Sequence, residues 1–218
     1  MKSLVIALDG PAASGKGTLA ELIAKRYELA YLDTGSLYRA VAKAVLDARS
    51  DPQDEGAAVR AVGRIDAARL GDEALRTAEV GRAASVVAAH PGVRSALLAF
   101  QRDFAARPAV GKKGAVLDGR DIGSIVCPDA SVKLFIIAGP EVRAHRRWLE
   151  LKAKGNRISE TEVLADLKDR DARDAQRKDA PMKRAKGAHL LDTTDLSIEA
   201  AFAAACAIID DQLDRGAV

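Results

Sequence analysis

The sequence has few cysteines, histidines and aromatic residues, and each shortage excludes a class of protein. The two cysteines, Cys127 and Cys206, cannot form the disulfide framework of a small secreted domain, so a cytoplasmic protein is expected. The three histidines lie too far apart for the spacing of a zinc site. Aromatic residues make up only 4% of the chain, which leaves few stacking surfaces for single-stranded nucleic acid.

Long apolar segments and a strong charge of one sign are also missing. No segment reaches the roughly 18 apolar residues of a membrane span, and the apolar run Leu4–Leu8 is too short for a signal peptide. The 34 Lys and Arg residues nearly balance the 31 Asp and Glu residues, leaving a net charge of +3. Because the basic residues fall in several Arg-rich groups, we expect a pocket for small anions, with no binding of nucleic acid or membranes.

What the chain does contain is a series of short apolar runs separated by stretches long enough for helices. This alternation predicts an α/β fold, a five-stranded parallel sheet with helices on both faces. The 218 residues suit a single domain spanning residues 1–218. The predicted strands are Leu4–Leu8, Leu29–Leu32, Ala115–Leu117, Val132–Ile137 and His189–Leu191.

Four of the five predicted strands end in polar loops, which begin at Asp9, Asp33, Asp118 and Asp192. Ligands of open α/β sheets bind at the carboxyl ends of the strands, so we expect the site there.

Two stretches depart from the strand–helix alternation. Residues 41–108 are rich in Ala and broken by Gly and Pro, which predicts an insert of short helices on the ligand side of the sheet. The chain from Glu141 to Arg177 predicts two helices separated at Lys154-Gly155-Asn156, with a capping box at Ser159 and Glu162. Residues 148–177 are therefore expected to form a lid.

The strongest local motif follows the first predicted strand and opens a helix. It reads Gly10-Pro11-Ala12-Ala13-Ser14-Gly15-Lys16-Gly17-Thr18. Glycines let backbone amides surround phosphates, and a lysine at this position neutralises the β and γ oxygens, which predicts a P-loop for ATP. Gly17 replaces the Ser or Thr that usually ligates Mg²⁺, so we assign no residue as a direct metal ligand.

The Gly-Lys-Gly-Thr ending of the P-loop resembles nucleoside monophosphate kinases more than GTPases. Further motifs in the same order along nearly the whole chain resemble the bacterial cytidylate kinase family. They are Leu32–Arg39, Ala83–Ser85, Pro91–Arg94, Asp118–Gly123 and Arg170–Arg177.

That resemblance implies transfer of the γ-phosphoryl group of ATP to CMP or dCMP with Mg²⁺, by a monomeric enzyme whose partners are nucleotides. The implied catalytic residues are Lys16, Arg120, Arg170 and Arg177, and the implied ATP site is Gly10 to Thr18 with Arg146. The implied substrate residues are Thr34, Tyr38, Arg39, Ser85, Arg94, Asp121, Arg173 and Asp174.

Within that set the resemblance implies three tasks. Arg39, Arg120 and Arg177 would hold the acceptor phosphate. Arg120, Arg170 and Arg146 would gather the transferring phosphoryl group. Ser85, Arg94 and Asp174 would read the cytosine edge, whose amino donor suits a carboxylate and whose acceptors suit Arg and Ser.

Several of these residues have a second interpretation. Positions 170, 173, 174 and 177 share one helix face, which also describes a solvated, salt-bridged helix. Asp33 could cap a helix or contact a ligand, and Asp118 could act as a Walker B carboxylate or orient Arg120. The chain also departs from the family by a shorter insert between Arg39 and Ser85 that lacks a strand hairpin.

Two other functions stay open from the sequence. A P-loop kinase for AMP, shikimate or dephospho-coenzyme A would need a carboxylate base for a hydroxyl acceptor, and Asp33 could serve. A nucleotide-dependent switch or nucleic-acid-binding ATPase would normally carry Ser or Thr after Lys16 and, for guanine, an Asn-Lys-x-Asp motif, which the sequence lacks.

Overall fold

The computed structural model describes residues 3–216 and contains one five-stranded sheet. The strand order is β2-β3-β1-β4-β5, and every neighbouring pair is parallel. The predicted parallel α/β fold is therefore confirmed, with each strand within a residue or two of its apolar run. The strands are β1 Leu4–Asp9, β2 Ala30–Asp33, β3 Gly114–Gly119, β4 Val132–Ile137 and β5 His189–Asp192.

Helices connect the strands and cover both faces of the sheet. Two short 3-10 turns lie between the third and fourth helices, and a π-helical turn, Ile122–Val126, follows β3. The helices are α1 Lys16–Arg26, α2 Thr34–Asp47, α3 Glu55–Val62, α4 Ala78–Val87, α5 Pro91–Ala106, α6 Pro140–Ala153, α7 Glu160–Gln176 and α8 Ile198–Gly216.

The two faces of the sheet bury different helices, as the period of two along each strand requires. Ile6 and Leu8 of β1 pack with α1 and α8, whereas Ala7 packs in the cluster formed by α2, α4 and α5. The helices predicted as an insert on the ligand side therefore also form a layer that covers one face of the sheet. Between β2 and β3 the described chain contains helices and turns without a strand.

The segment predicted as a lid folds as the helix pair α6 and α7, which packs through a small apolar cluster of its own. The capping box is confirmed, because the Ser159 side chain accepts from the Glu162 amide and the Glu162 side chain accepts from the Ser159 amide. The link between the helices, residues 154–158, is largely exposed.

One glycine holds the first residue of the phosphate loop against the sheet. Gly10 has a φ of 141°, and a Cβ atom built there would lie 2.0 Å from the carbonyl oxygen of Ile136 in β4. Only glycine fits this close approach.

No single helix in residues 3–216 has the length and hydropathy of a membrane span. One pair of helices, α4 and α5, meets the length and hydropathy criteria together, but the two are bent by 99° relative to each other.

Candidate active site

The phosphate loop joins β1 to α1 at the carboxyl edge of the sheet. Ala13 and Gly15 have positive φ values of 58° and 86°, and Gly15 is the N-cap of α1. Ser14 is fully buried, and its hydroxyl oxygen has no hydrogen-bond partner among the described residues. This backbone curls before a helix N-terminus, which is the arrangement that binds phosphate through amides.

Lys16 is the first residue of α1, and its ammonium group is buried at the floor of the cleft. Its Nζ donates to the carbonyl oxygen of Pro11 at 2.8 Å and lies 3.9 Å from Oδ1 of Asp118. Burial and the nearby Arg120 guanidinium lower the pKa of Lys16 to about 8. The ammonium group is thus short of negative partners, a deficit that an added phosphate would fill.

Gly17 lies beside a carboxylate from β3 and a hydroxyl group from β2, a neighbour that the sequence did not lead us to expect. A Cβ atom at Gly17 would lie 3.5 Å from Oδ2 of Asp118 and 3.7 Å from the Tyr31 hydroxyl. The Tyr31 hydroxyl donates to the same carboxylate oxygen at 3.4 Å. The side-chain contacts of Asp118 are with Lys16 and Tyr31, whereas Arg120 acts on it only through charge, which favours the Walker B interpretation of this carboxylate.

The end of β2 contributes a second group of polar residues. Arg39 pairs with Asp33 at 2.5 Å, and the Nε of Arg39 is buried without a partner among the described residues. Asp33 occupies the N-cap position of α2 but makes no side-chain cap bond. The hydroxyl of Thr34 donates to the backbone carbonyl of Asp118 at 2.7 Å, which ties β2 to β3.

Helix α7 directs one charged face into the cleft, as its spacing predicted. Asp174 is buried, and its carboxylate accepts from Nε of Arg120 at 3.0 Å. It also lies 3.9 Å from Arg170 and 4.0 Å from Arg177. Burial alone would raise the pKa of Asp174, but these three guanidinium groups outweigh it and lower the pKa.

The same helix face brings cations close together. Burial and the neighbouring Arg120 lower the pKa of Arg170 to about 10, and its Nε is buried without a hydrogen-bond partner among the described residues. Asp174 and the Arg177 side chain are too buried for a solvated face, although Arg173 of the same face is exposed. The cluster has the character of an anion site.

Asp121 connects α7 to α5. Its carboxylate accepts a short hydrogen bond from Arg94 and lies 3.4 Å from an amino group of Arg177. The Arg94 guanidinium also lies 5.7 Å from the centre of the Tyr38 ring, within cation–π range. Four substrate or catalytic residues predicted from separate motifs thus form one contiguous group.

Ser85 on α4 is buried and accepts a hydrogen bond from Nε of Arg173 at 3.1 Å. Arg173 and Ser85 line a cavity of about 60 Å³ between α4, α6 and α7, together with Arg170. This cavity opens beside the arginine cluster.

Comparison with known proteins agrees with this arrangement. The cytidylate kinase family model matches residues 6–211. A cytidylate kinase of Nitrobacter winogradskyi is 54% identical over 207 residues, covering 95% of this chain and 96% of that protein. One of Azorhizobium caulinodans is 57% identical over 207 residues, covering 95% and 98%. The chain belongs to the cytidylate kinase family.

Among solved structures, an uncharacterized protein from Eubacterium ventriosum has a TM-score of 0.50 at 14% identity, covering 95% of this chain and 98% of that one. That likeness shows the fold alone.

One residue assigned from the cytidylate kinase resemblance lies elsewhere than expected. Arg146 does not join Arg120 and Arg170, because its guanidinium donates to the carbonyl oxygen of Thr193 at 2.8 Å and to the Thr193 hydroxyl. The lid arginine that faces the cluster is Arg147, which lines the same cavity as Arg170 and contributes to lowering its pKa. Arg146 stays near the phosphate loop, since Thr193 donates to the carbonyl of Ser14.

Sequence reasoning missed two buried charged residues that support the site, Arg143 and Asp9. Arg143 of α6 donates to the carbonyl oxygens of Ala138 and Ala12 and pairs with Asp171 of α7 at 2.7 Å. This pair fixes the lid helix to the phosphate loop. Asp9, the last residue of β1, accepts from two backbone amides after Asp121. The polar ends of the strands gave a signal for Asp9, but nothing local distinguished Arg143 from its neighbouring arginines.

Proposed function

We propose that this protein transfers the γ-phosphoryl group of ATP to CMP or dCMP, giving ADP and CDP or dCDP. Family membership supports an ATP-dependent phosphotransferase, and the site supports the acceptor. We further propose that it acts as a monomer in the cytoplasm, where its nucleotide substrates are found.

One observation carries this proposal. Arg39 and Arg170 each hold a buried Nε without a hydrogen-bond partner among the described residues, and the two lie close enough that Arg39 helps to lower the pKa of Arg170. Buried donors without partners are costly, and guanidinium groups suit phosphate oxygens. Two anionic phosphate chains that meet in the cleft would satisfy these donors.

Phosphoryl transfer between two phosphates requires no general base, since the attacking oxygen of a nucleoside monophosphate is already anionic. Lys16, Arg120 and Arg170 would stabilise the charge on the transferring group, and Arg39 and Arg177 would hold the acceptor phosphate in line. The lid formed by α6 and α7 would exclude water, which would otherwise compete as acceptor.

A kinase for a hydroxyl acceptor is disfavoured by the state of Asp33. Burial alone would raise the pKa of Asp33, but the Arg39 guanidinium outweighs it, so the pKa is lowered. A carboxylate paired in this way is a poor base. It orients Arg39 instead.

The groups proposed to read cytosine are Ser85, Arg94 and Asp174. All three are buried, and they lie on α4, α5 and α7, which border the acceptor side of the cleft. Each already has a protein partner, so recognition would exchange some of these contacts for contacts with the base. Asp121 would lie closest to the sugar, between Arg94 and Arg177.

The residues around the phosphate loop fit Mg²⁺ bound with ATP. Within residues 3–216 no group of three His, Cys, Asp or Glu side chains could hold a metal ion by itself. Mg²⁺ needs no such group, because it usually binds one or two carboxylates together with substrate phosphates and water. The buried Asp118 beside Lys16 is the carboxylate that would hold it. When bound, the ion neutralises charge on the phosphate oxygens.

A coupled assay of ADP formation with ATP and a panel of CMP, dCMP, UMP, AMP and shikimate tests the proposal. We expect CMP and dCMP to be the best acceptors and ATP alone to be almost inert. A fast reaction with another acceptor, or steady hydrolysis of ATP without any acceptor, would reject it.

A further inference from the structure

Asp9 is a buried carboxylate whose side chain, within residues 3–216, makes no hydrogen bond to the phosphate loop it precedes. It is the last residue of β1, directly before Gly10, and only 3% of it is exposed. Its two oxygens accept hydrogen bonds from the backbone amides of Ile122 at 2.7 Å and Gly123 at 2.8 Å. The carboxylate therefore acts on the loop after β3, on the acceptor side of the cleft.

These two amides begin the π-helical turn that follows Asp121. The first amides of a helical turn have no partner within it, and a carboxylate that accepts from two of them fixes the backbone strongly. The carbonyl oxygen of Asp121 closes the same turn by accepting from Ile125 and Val126. Asp9 thus fixes the backbone immediately after Asp121.

Asp121 in turn determines where two arginines of the acceptor site lie. Its carboxylate holds Arg94 and Arg177, which come from α5 and from the end of α7. A shift of the Asp121 backbone would move this carboxylate and both guanidinium groups with it. Asp9 at the end of β1 is thus connected, through these two amides and Asp121, to the arginines on the acceptor side of the cleft.

The Asp9 carboxylate is enclosed next to the turn that it contacts, since a Cβ atom built on Gly123 would lie 3.4 Å from Oδ2 of Asp9. Burial raises the pKa of Asp9 to about 6, and the two amide bonds and Lys16 oppose that rise. The carboxyl group is therefore mostly ionised at neutral pH and can accept both bonds.

We propose that Asp9 is a positioning residue for the acceptor nucleotide, which it serves by fixing the turn that aims Asp121 at Arg94 and Arg177. This inference rests on the proposed function. It assigns a residue at the start of the donor loop to the acceptor side.

The test is Asp9→Asn, because an amide of the same size accepts from one backbone amide and presents its own NH₂ to the other. We expect the KM for CMP to rise about tenfold, the scale of one lost charged hydrogen bond, while the KM for ATP changes less than about twofold. An equal rise of both KM values would overturn the proposal, because Asp9 would then act on the phosphate loop.

A double-mutant cycle tests the route through Asp121. In an Asp121→Asn background, Asp9→Asn should raise the KM for CMP by less than about twofold, because contacting residues in one path are not additive. Full additivity would overturn the proposal. If Asp9→Asn does not fold, Asp9→Glu displaces the carboxylate by one methylene from the same two amides, and it should raise the KM for CMP alone.

Tyr27→Phe is the control for general destabilisation. It removes the Tyr27 hydrogen bond to Asp210 between α1 and α8, on the other side of the sheet. It should lower thermal stability and leave both KM values unchanged, and a selective rise in the KM for CMP would overturn the proposal. Wild-type protein that fails to phosphorylate CMP would instead reject the proposed function itself.

Discussion

The donor side and the acceptor side of the cleft are built in different ways. The donor side consists of nine consecutive residues, Gly10 to Thr18, and depends on backbone conformation and one lysine. The acceptor side draws its charged residues from β2, α2, α5, the loop after β3, and α7. A contiguous loop can be changed one residue at a time, whereas a network of ion pairs responds as a unit.

The two sides also differ in how they balance charge. Lys16 has a carbonyl partner and only a distant carboxylate, whereas on the acceptor side Arg94, Arg120 and Arg177 lie against Asp121 and Asp174. Removal of one member of a buried pair leaves its partner uncompensated. We therefore expect donor-side changes to lower activity without loss of stability, and acceptor-side changes to affect both.

The largest expected effect is that of Lys16→Met. Loss of the ammonium group should lower kcat by about 10²–10³-fold or more, as for other groups that stabilise charge in the transition state. The same change should stabilise the ligand-free protein, because Lys16 has a pKa lowered to about 8 and its charge is costly to bury. The coupled assay and thermal unfolding measure the two effects.

The gain in stability should depend on pH in a defined direction. The folded protein binds fewer protons than the unfolded chain between about pH 8 and 10.5, so the cost of Lys16 is full below pH 8 and disappears towards 10.5. The difference between variant and wild type should reach about 3 kcal/mol at most and shrink above pH 8. A variant less stable than wild type at pH 7 would contradict this account.

On the acceptor side, the largest effect is expected for Arg177→Lys. Its planar guanidinium spans Asp121, Asp174 and the carbonyl of Ala180, which a single ammonium group cannot do. We expect kcat/KM for CMP to fall by about 10²-fold and thermal stability to fall as well. Arg215→Lys, in an exposed pair with Asp211 on α8, should change neither measurement.

This difference between the two sides also explains what the sequence could predict. The phosphate loop is local, so its position and the strands around it followed from residue patterns alone. The partners on the acceptor side are distant in sequence, as for Arg120 and Asp174, so only the resemblance to a family suggested them. Side-chain direction within α6 was not predictable, and the Arg146 guanidinium bonds Thr193 beside the phosphate loop. The supporting roles of Asp9 and Arg143 depend on their burial, which no sequence motif predicts.

The lid connects the two sides, and its linker should become protected only when both are filled. Residues 154–158 are largely exposed and include Lys154 and Arg157, which trypsin can cleave. With ATP analogue and CMP at about 100 times their dissociation constants, cleavage should slow by up to about 10²-fold. Cleavage at Lys112 and Lys113, at the opposite edge of the sheet, should not change. Equal protection by either nucleotide alone would contradict a lid that responds to both.

The central claim is that the arginine and aspartate network selects cytosine, and Asp174→Asn tests it most directly. Asp174 accepts hydrogen bonds, so UMP would set its O4 carbonyl against the carboxylate, whereas an Asn amide can donate to it. We predict that the variant lowers kcat/KM for CMP and narrows the preference for CMP over UMP at least about tenfold, with little change in the KM for ATP. Asp174 also holds Arg120, so activity with UMP need not rise. Equal losses for CMP and UMP, with an unchanged ratio, would show that Asp174 only organises the arginines and would contradict the account.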